Sequence, residues 1–212
     1  MSLATTAPGH PPLRRRDQQK GQTRLDLSLA AFELATADGF ANVRVPQIAD
    51  AVGVSPRTFN NYFPSKEAAI VFPTTLRAAR MANNLVERPT DEQLADALIE
   101  SVTGLYGPEG QDGLPSGWLD GFRALVAAEP ALHGEYLKAM SAGERGLAEA
   151  IASRIGAAPN DLGPLVLAAV VTAAERAAVL HWARQTTKRS PLVDVVREAI
   201  DMAVRGTTAN LS

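Results

Sequence analysis

Cysteine is absent from this 212-residue chain, which excludes disulfides, thiolate metal sites and cysteine nucleophiles. Histidine is nearly absent. His10, His133 and His181 are scattered, with no H-E-x-x-H pair and no carboxylates at metal-ligand spacing. The nucleophile elbow G-x-S-x-G, the phosphate cradle G-x-x-x-x-G-K and a glycine fingerprint after a strand are all missing. The stretch GPEGQDG at 107–113 has glycines but neither a preceding strand nor a lysine, so it reads as a loop. No constellation for an enzyme, a cofactor or a metal emerges. Aromatics make up only 5% of residues, and no segment alternates as a strand would. The first ten residues lack the basic-then-apolar pattern of a signal peptide. No run approaches a transmembrane helix; Leu165 to Val171 is apolar but far too short. The simplest location is the cytoplasm, without a membrane partner.

What is present fits a soluble helical protein. Apolar residues make up 46% and charged residues 21%, ordinary values for a globular chain. The net charge of -2 hides an asymmetry. Residues 1–72 carry eight Lys/Arg against six Asp/Glu, and residues 73–212 carry 13 against 17. A mildly basic head thus sits on an acidic body. Residues 1–20, rich in Pro, Gly and charge, read as a disordered basic tail. A first helix is predicted after Gln22 or Thr23, with Leu27, Ala30, Ala31, Leu34 and Ala35 on one apolar face. Asp38-Gly39 ends it, and Phe40 and Val43 read as core plugs in the link. A second helix spans about 45–52, with Pro46 in its first turn. Ser55-Pro56 opens a third with a capping serine. Pro64-Ser65-Lys66-Glu67 repeats that signal for a fourth. Pro73 and Pro89 each mark a boundary or kink. Thr90-Asp91-Glu92-Gln93 is a helix start, for a helix running to about Tyr106, and further helices are predicted over 118–128, 131–155, 161–186 and 190–206. The fold class is all-α, with a three-helix unit over 21–70 and a larger helical body over 71–212.

The stretch IADAVGVSPRTFNNYFPSKEAA, Ile48 to Ala69, carries the functional signal. Two helices joined by a short glycine-containing turn make a helix-turn-helix, with Gly53 supplying a conformation that a Cβ resists. Ile48, Val52, Val54, Phe59 and Phe63 can pack inward against Leu27, Ala31 and Leu34, and the small Ala49 allows a close crossing. That leaves Pro56, Arg57, Thr58, Asn60, Asn61 and Tyr62 without a core role. A recognition helix needs such a surface, because its first polar side chains reach base edges in the major groove. Arg matches the bidentate face of guanine and Asn that of adenine. Tyr62 and Lys66 are residue types that clamp phosphates, as is an exposed helix start such as Ser55. A solvated helix pair is the competing reading of the bare pattern. Arg14, Arg15 and Arg16 in the tail can add minor-groove or phosphate contacts, or be inert.

Over nearly 50 residues the sequence resembles the tetracycline-repressor (TetR) family of bacterial transcription regulators. The match rests on A-A-F-E-L-A with D-G-F, then on the stretch above, whose close T-F-x-x-Y-F-P-S-K-E is among the more specific family signatures. Val43-Arg44 stand where the family usually has a threonine pair, so its capping and phosphate-contacting hydroxyl is missing, and Arg44 can replace the contact by charge. Asn60 stands where many members carry an aromatic. The resemblance implies an N-terminal DNA-binding domain that contacts double-stranded operator DNA through Arg44, Ser55, Pro56, Arg57, Thr58, Asn60, Asn61, Tyr62 and Lys66. It also implies a C-terminal ligand-binding and dimerisation domain, and a repressor mode of action in which a bound effector releases the operator. A helical adaptor without sequence-specific DNA binding is the alternative; it leaves the sparse, polar third helix unexplained.

The body has its own signal. LGPLVLAAVVTAAERAAVLHWAR is apolar nearly all round, the mark of a helix covered on several sides. Either it is an internal core helix, or the last two helices (161–206) form a four-helix bundle with a second copy. E-P-A-L before one long helix and A-x-R-A-A-x-x-x-W near the end of the next resemble the branch of the family with acyl-CoA-like ligand-binding domains. That resemblance implies a small hydrophobic effector such as a fatty acyl-CoA, and no cofactor. Trp118, Phe122, Arg123, Tyr136, Met140, Arg176 and His181 are the candidate ligand contacts. Core aromatics and a satisfied core histidine are the competing assignments. Glu175 or Glu144 can pair with Arg176 and make it structural.

Overall fold

The computed structural model describes residues 12–106, 114, 117–185 and 190–206, with side chains from residue 18 onward. Nine α-helices and no strand occur among the described residues. They are α1 (Pro12–Asp38), α2 (Val45–Ala51), α3 (Pro56–Tyr62), α4 (Lys66–Glu87), α5 (Leu94–Thr103), α6 (Trp118–Ala128), α7 (Pro130–Ile155), α8 (Leu162–Arg184) and α9 (Leu192–Arg205). A single 3-10 turn, Phe40–Asn42, links α1 to α2. The chain divides into two compact units, Met1–Ile70 and Val71–Ser212, and α4 starts in the first and runs on into the second.

In the first unit α1 begins at Pro12, about ten residues earlier than expected, so residues 12–20 are helical rather than a disordered tail. Proline costs nothing at a first helical position, and the following Leu-Arg-Arg-Arg and Gln-Gln-Lys are good helix formers. The remainder of that tail, and the side chains of Arg14 to Arg16, lie outside the described residues. Leu27, Ala31 and Ala35 bury the inner face of α1, while Leu34 is half-buried. Phe40, Val43, Ile48, Ala49, Phe59 and Phe63 complete this core. Val52 and Val54, flanking the turn, are half-buried.

In the second unit Pro73 does not end α4, which continues to Glu87. The lost N–H leaves one carbonyl of the preceding turn without its helical donor. The break comes before Pro89. The body core joins Met81 and Leu85 of α4, Leu98 and Val102 of α5, Leu147 and Ile151 of α7, Ala168 and Val171 of α8, and Val196 and Ile200 of α9. Arg197 pairs with Glu100 at 2.7 Å where α9 packs on α5.

By length and composition α8 could cross a membrane, although no apolar run of that length is evident in the sequence. The helix reaches that length by including Glu175 and Arg176, and it packs on α7 and α9, which is how a core helix is held. One face is nonetheless open: Leu162 is 76% exposed and Val166 49% exposed, with Leu165 and Val170 beside them.

α4 and α7 approach closely at Gly143. A Cβ there would lie 2.5 Å from the Cβ of Ala78, well inside van der Waals contact. Gly143→Ala should therefore destabilise the protein by about 1–3 kcal/mol through overpacking, outweighing the gain in helix propensity. A thermal melt tests this, and an unchanged or raised midpoint would contradict the close crossing.

Candidate nucleic-acid interface and body cavity

The helix-turn-helix is built from local hydrogen bonds. In the turn, Gly53 has φ 72°, and the N–H groups of Val52 and Val54 donate to the Ala49 carbonyl while that of Gly53 donates to Asp50. α3 then starts on Ser55, whose Oγ accepts the Thr58 N–H at 3.1 Å and lies 2.9 Å from Thr58 Oγ1. This satisfies one of the donors that a helix start leaves open. Both hydroxyls are thereby engaged with each other. Pro56 follows in the first turn.

Burial divides α3 into two faces. Phe59 and Phe63 are 0% and 2% exposed, one helical turn apart, with ring centroids 5.7 Å from each other. Pro56, Arg57, Asn60 and Asn61 are exposed on the other side, and Thr58 and Tyr62 sit between. Arg57, Asn60 and Asn61 have no side-chain partner among the described residues. Their donors and acceptors are open to a ligand.

Two candidates are placed differently from expectation. Lys66 Nζ donates to the carbonyls of Phe40 at 2.7 Å and Val43 at 3.0 Å, and stands 4.1 Å from the Phe40 ring centroid. It neutralises the carbonyl end of the 3-10 turn and ties that link to α4, rather than reaching outward for a phosphate. Glycine and proline signals cannot reveal such a contact across 26 residues of sequence. Arg44 directs its guanidinium to the carbonyls of Ala41 at 2.5 Å and Val43 at 3.2 Å. Having no acceptor atom, it cannot cap α2. Gln47 supplies half of that function, its Oε1 accepting the Arg44 N–H at 2.8 Å, and the Arg44 carbonyl takes the Gln47 N–H at 3.0 Å.

In the body, a cavity of about 620 Å³ opens among α4, α6, α7, α8 and the segment after α5. Trp118, Phe122, Arg123, Tyr136, Met140 and Arg176 all border it. Trp118 stacks on Phe122 at 4.6 Å, and Tyr136 meets Phe122 edge-on at 6.0 Å, an arrangement that aromatic quadrupoles favour. His181 does not border the cavity. It is exposed, with Nε2 2.9 Å from Gln185 Nε2. The cavity face of α8 runs through Thr172, Glu175, Arg176, Val179, Leu180 and Ala183, and position 181 falls off that stripe.

A polar group at the cavity wall has no signal in the sequence. Tyr106 Oη donates to Glu175 Oε1 at 2.5 Å, and the Arg77 guanidinium carbon lies 4.4 Å from the Tyr106 ring centroid. Arg77 Nη2 is enclosed, with no acceptor among the described residues. Glu175 thus bonds Tyr106, not Arg176. Burial pushes the Glu175 carboxyl above the usual carboxylate range, opposed by the Tyr106 hydrogen bond and the Arg77 charge. Burial, reinforced by the Glu175 charge, also holds the Tyr106 phenol well above its ordinary value. The three residues lie far apart in sequence on separate elements, so no spacing announces them.

The comparisons with known proteins agree with these two parts. Residues 29–69 match the family model "Bacterial regulatory proteins, tetR family", and residues 117–208 match "MftR C-terminal domain". The chain is 33% identical over 183 residues to HTH-type transcriptional regulator TcmR of Streptomyces glaucescens, covering 84% of this chain and 79% of that protein. Among solved structures, it resembles a TetR-family transcriptional regulator from Rhodococcus sp. with a TM-score of 0.56 and 19% identity, over 87% of this chain and 97% of that one. It also resembles Thermus thermophilus FadR, a repressor solved in complex with lauroyl-CoA, with a TM-score of 0.55 and 22% identity, over 86% and 94% of the two chains. At such identities the two structures share the fold.

The two candidate cations on the DNA-binding unit should separate in a stability experiment. Lys66→Ala removes two charge-assisted hydrogen bonds and should lower unfolding free energy by about 1.5–3 kcal/mol. Arg57→Ala, on an open face, should stay within about 0.5 kcal/mol of the parent. Urea unfolding measures both; equal stabilities would contradict the tie made by Lys66.

Proposed function

The chain belongs to the TetR family of bacterial transcriptional regulators, and we propose on that premise that it represses its target by placing α3 of each of two subunits in the major groove of an operator. Regulators of this family bind operator DNA as dimers and respond to small-molecule effectors. The observation that carries the proposal is the outer face of α3, where Arg57, Asn60 and Asn61 stand exposed, with no side-chain partner among the described residues, opposite the buried Phe59 and Phe63. Arg57 and the two asparagines read base edges. Tyr62, the start of α3 at Ser55 and Pro56, and Thr58 hold the backbone. Arg44, anchored to the loop before α2, lends positive charge beside the phosphates.

Pairing of subunits is supported by the open apolar face of α8, where Leu162, Leu165, Val166 and Val170 remain exposed. A contiguous apolar stripe of this kind marks an interaction surface. A second copy, joined through α8 and α9, covers it and sets the two recognition helices about 34–36 Å apart, one turn of DNA. A small hydrophobic effector, with a fatty acyl-CoA as the first compound to try, enters the body cavity. α4 carries the change to the DNA-binding unit, since its first turn belongs to that unit and Thr74 and Arg77 border the cavity. Effector and DNA then weaken each other by the same factor.

Two experiments address this reading. Arg57→Ala should cost about 1–3 kcal/mol of operator affinity and relax specificity at one base position, measured by fluorescence anisotropy on matched and singly substituted duplexes. Unchanged affinity and specificity would sink the recognition-helix assignment. Val170→Asp should shift the protein in light scattering from a dimer toward the 22.4 kDa single chain; a dimer that persists would move the interface away from α8.

A further inference from the structure

The polar group on the cavity wall has one atom left over. Glu175 Oε1 is taken by Tyr106. Oε2 accepts from no described residue, and it is not among the enclosed unpartnered atoms, so it keeps accessible surface. Glu175 borders the cavity, and there a carboxylate oxygen can only accept. Arg77, by contrast, has its spare nitrogen Nη2 shut in without accessible surface, so a ligand oxygen does not reach it as the side chains stand. The cation still matters, because it supplies the charge that balances Glu175.

We propose that the effector is not the fatty acyl-CoA tried first but a flat, mainly apolar molecule whose hydroxyl group donates a hydrogen bond to Glu175 Oε2. The inference rests on the reading of the body as an effector-binding domain. Its flatness follows from the wall that Trp118, Phe122 and Tyr136 make, two rings stacked and one edge-on, against which a planar ring system packs well. The preference for a donor follows from the open oxygen. Where burial already disfavours the charged carboxylate, an added donor stabilises it more than in water.

A matched set of tricyclic probes tests this on the full-length protein. Fluorene has no polar group, 9-fluorenone adds an acceptor only, and 2-hydroxyfluorene adds a donor. Each is titrated by quenching of tryptophan fluorescence. The expected result is that 2-hydroxyfluorene binds at least tenfold tighter than fluorene, with fluorenone close to fluorene. Glu175→Gln keeps shape and a weaker acceptor and should reduce the hydroxyl preference at least threefold. The double variant Arg77→Met with Glu175→Leu removes both charges together, leaves neither orphaned should the single change fail to fold, and should abolish the preference. Equal binding of the three probes, tightest binding of fluorenone, or no saturable binding of any would overturn the inference. Operator binding by the same wild-type preparation, read separately by anisotropy, tells that failure from a failure of the regulator reading.

Discussion

Burial of Phe59 and Phe63 is the constraint on which the DNA-binding unit depends. Phe59 is removed from water on one face of a seven-residue helix and Phe63 at the extended residue that closes it, and a helix that short has no stability of its own. Packing against α2 therefore decides its rotation. Once the two rings point inward, the 3.6-residue period leaves Arg57, Asn60 and Asn61 no choice but to point out. The serine cap and Gly53 set where the helix begins; the phenylalanines set which way it faces. Lys66 reinforces the frame from behind by holding the carbonyls of the preceding link. Sequence, packing and recognition are thus joined by a single rotation angle.

The body follows a different economy. α8 is apolar on nearly every side, yet only part of it is covered by its own chain. One side supplies the core with Ala168 and Val171, another borders the cavity with Glu175 and Arg176, and a third carries the open stripe of Leu162, Val166 and Val170. A helix serving a core, a cavity and a partner at once has few positions left for ordinary surface residues. That explains both its composition and its resemblance to a membrane span.

Most of the fold is legible in the sequence because proline, glycine and capping residues punctuate it so often. The ends of α6, α7, α8 and α9 fall within a few residues of the positions those signals mark. α1 starts earlier than composition suggests, because the individual residues after Pro12 favour helix. Pro73 marks no boundary, since a long helix embedded in a body tolerates one missing hydrogen bond. At the sites, residue type revealed what points outward, as with Arg57 and the asparagines. It did not reveal what a long side chain bonds once folded. Lys66 turned back to two carbonyls, Arg44 did the same, and Glu175 chose Tyr106 over its neighbour Arg176. Each choice depends on chain segments brought together only by tertiary packing.

The most direct test of the account is the salt dependence of binding to DNA from the chain's own upstream region. Each phosphate neutralised contributes a slope of about -0.9 to log affinity against log salt. Two recognition helices with their flanking contacts predict a steep, linear fall with a slope several times that value. Absence of binding, or a slope near zero, on both this DNA and a pool of random duplexes would contradict the claim that α3 is a reader of operator DNA.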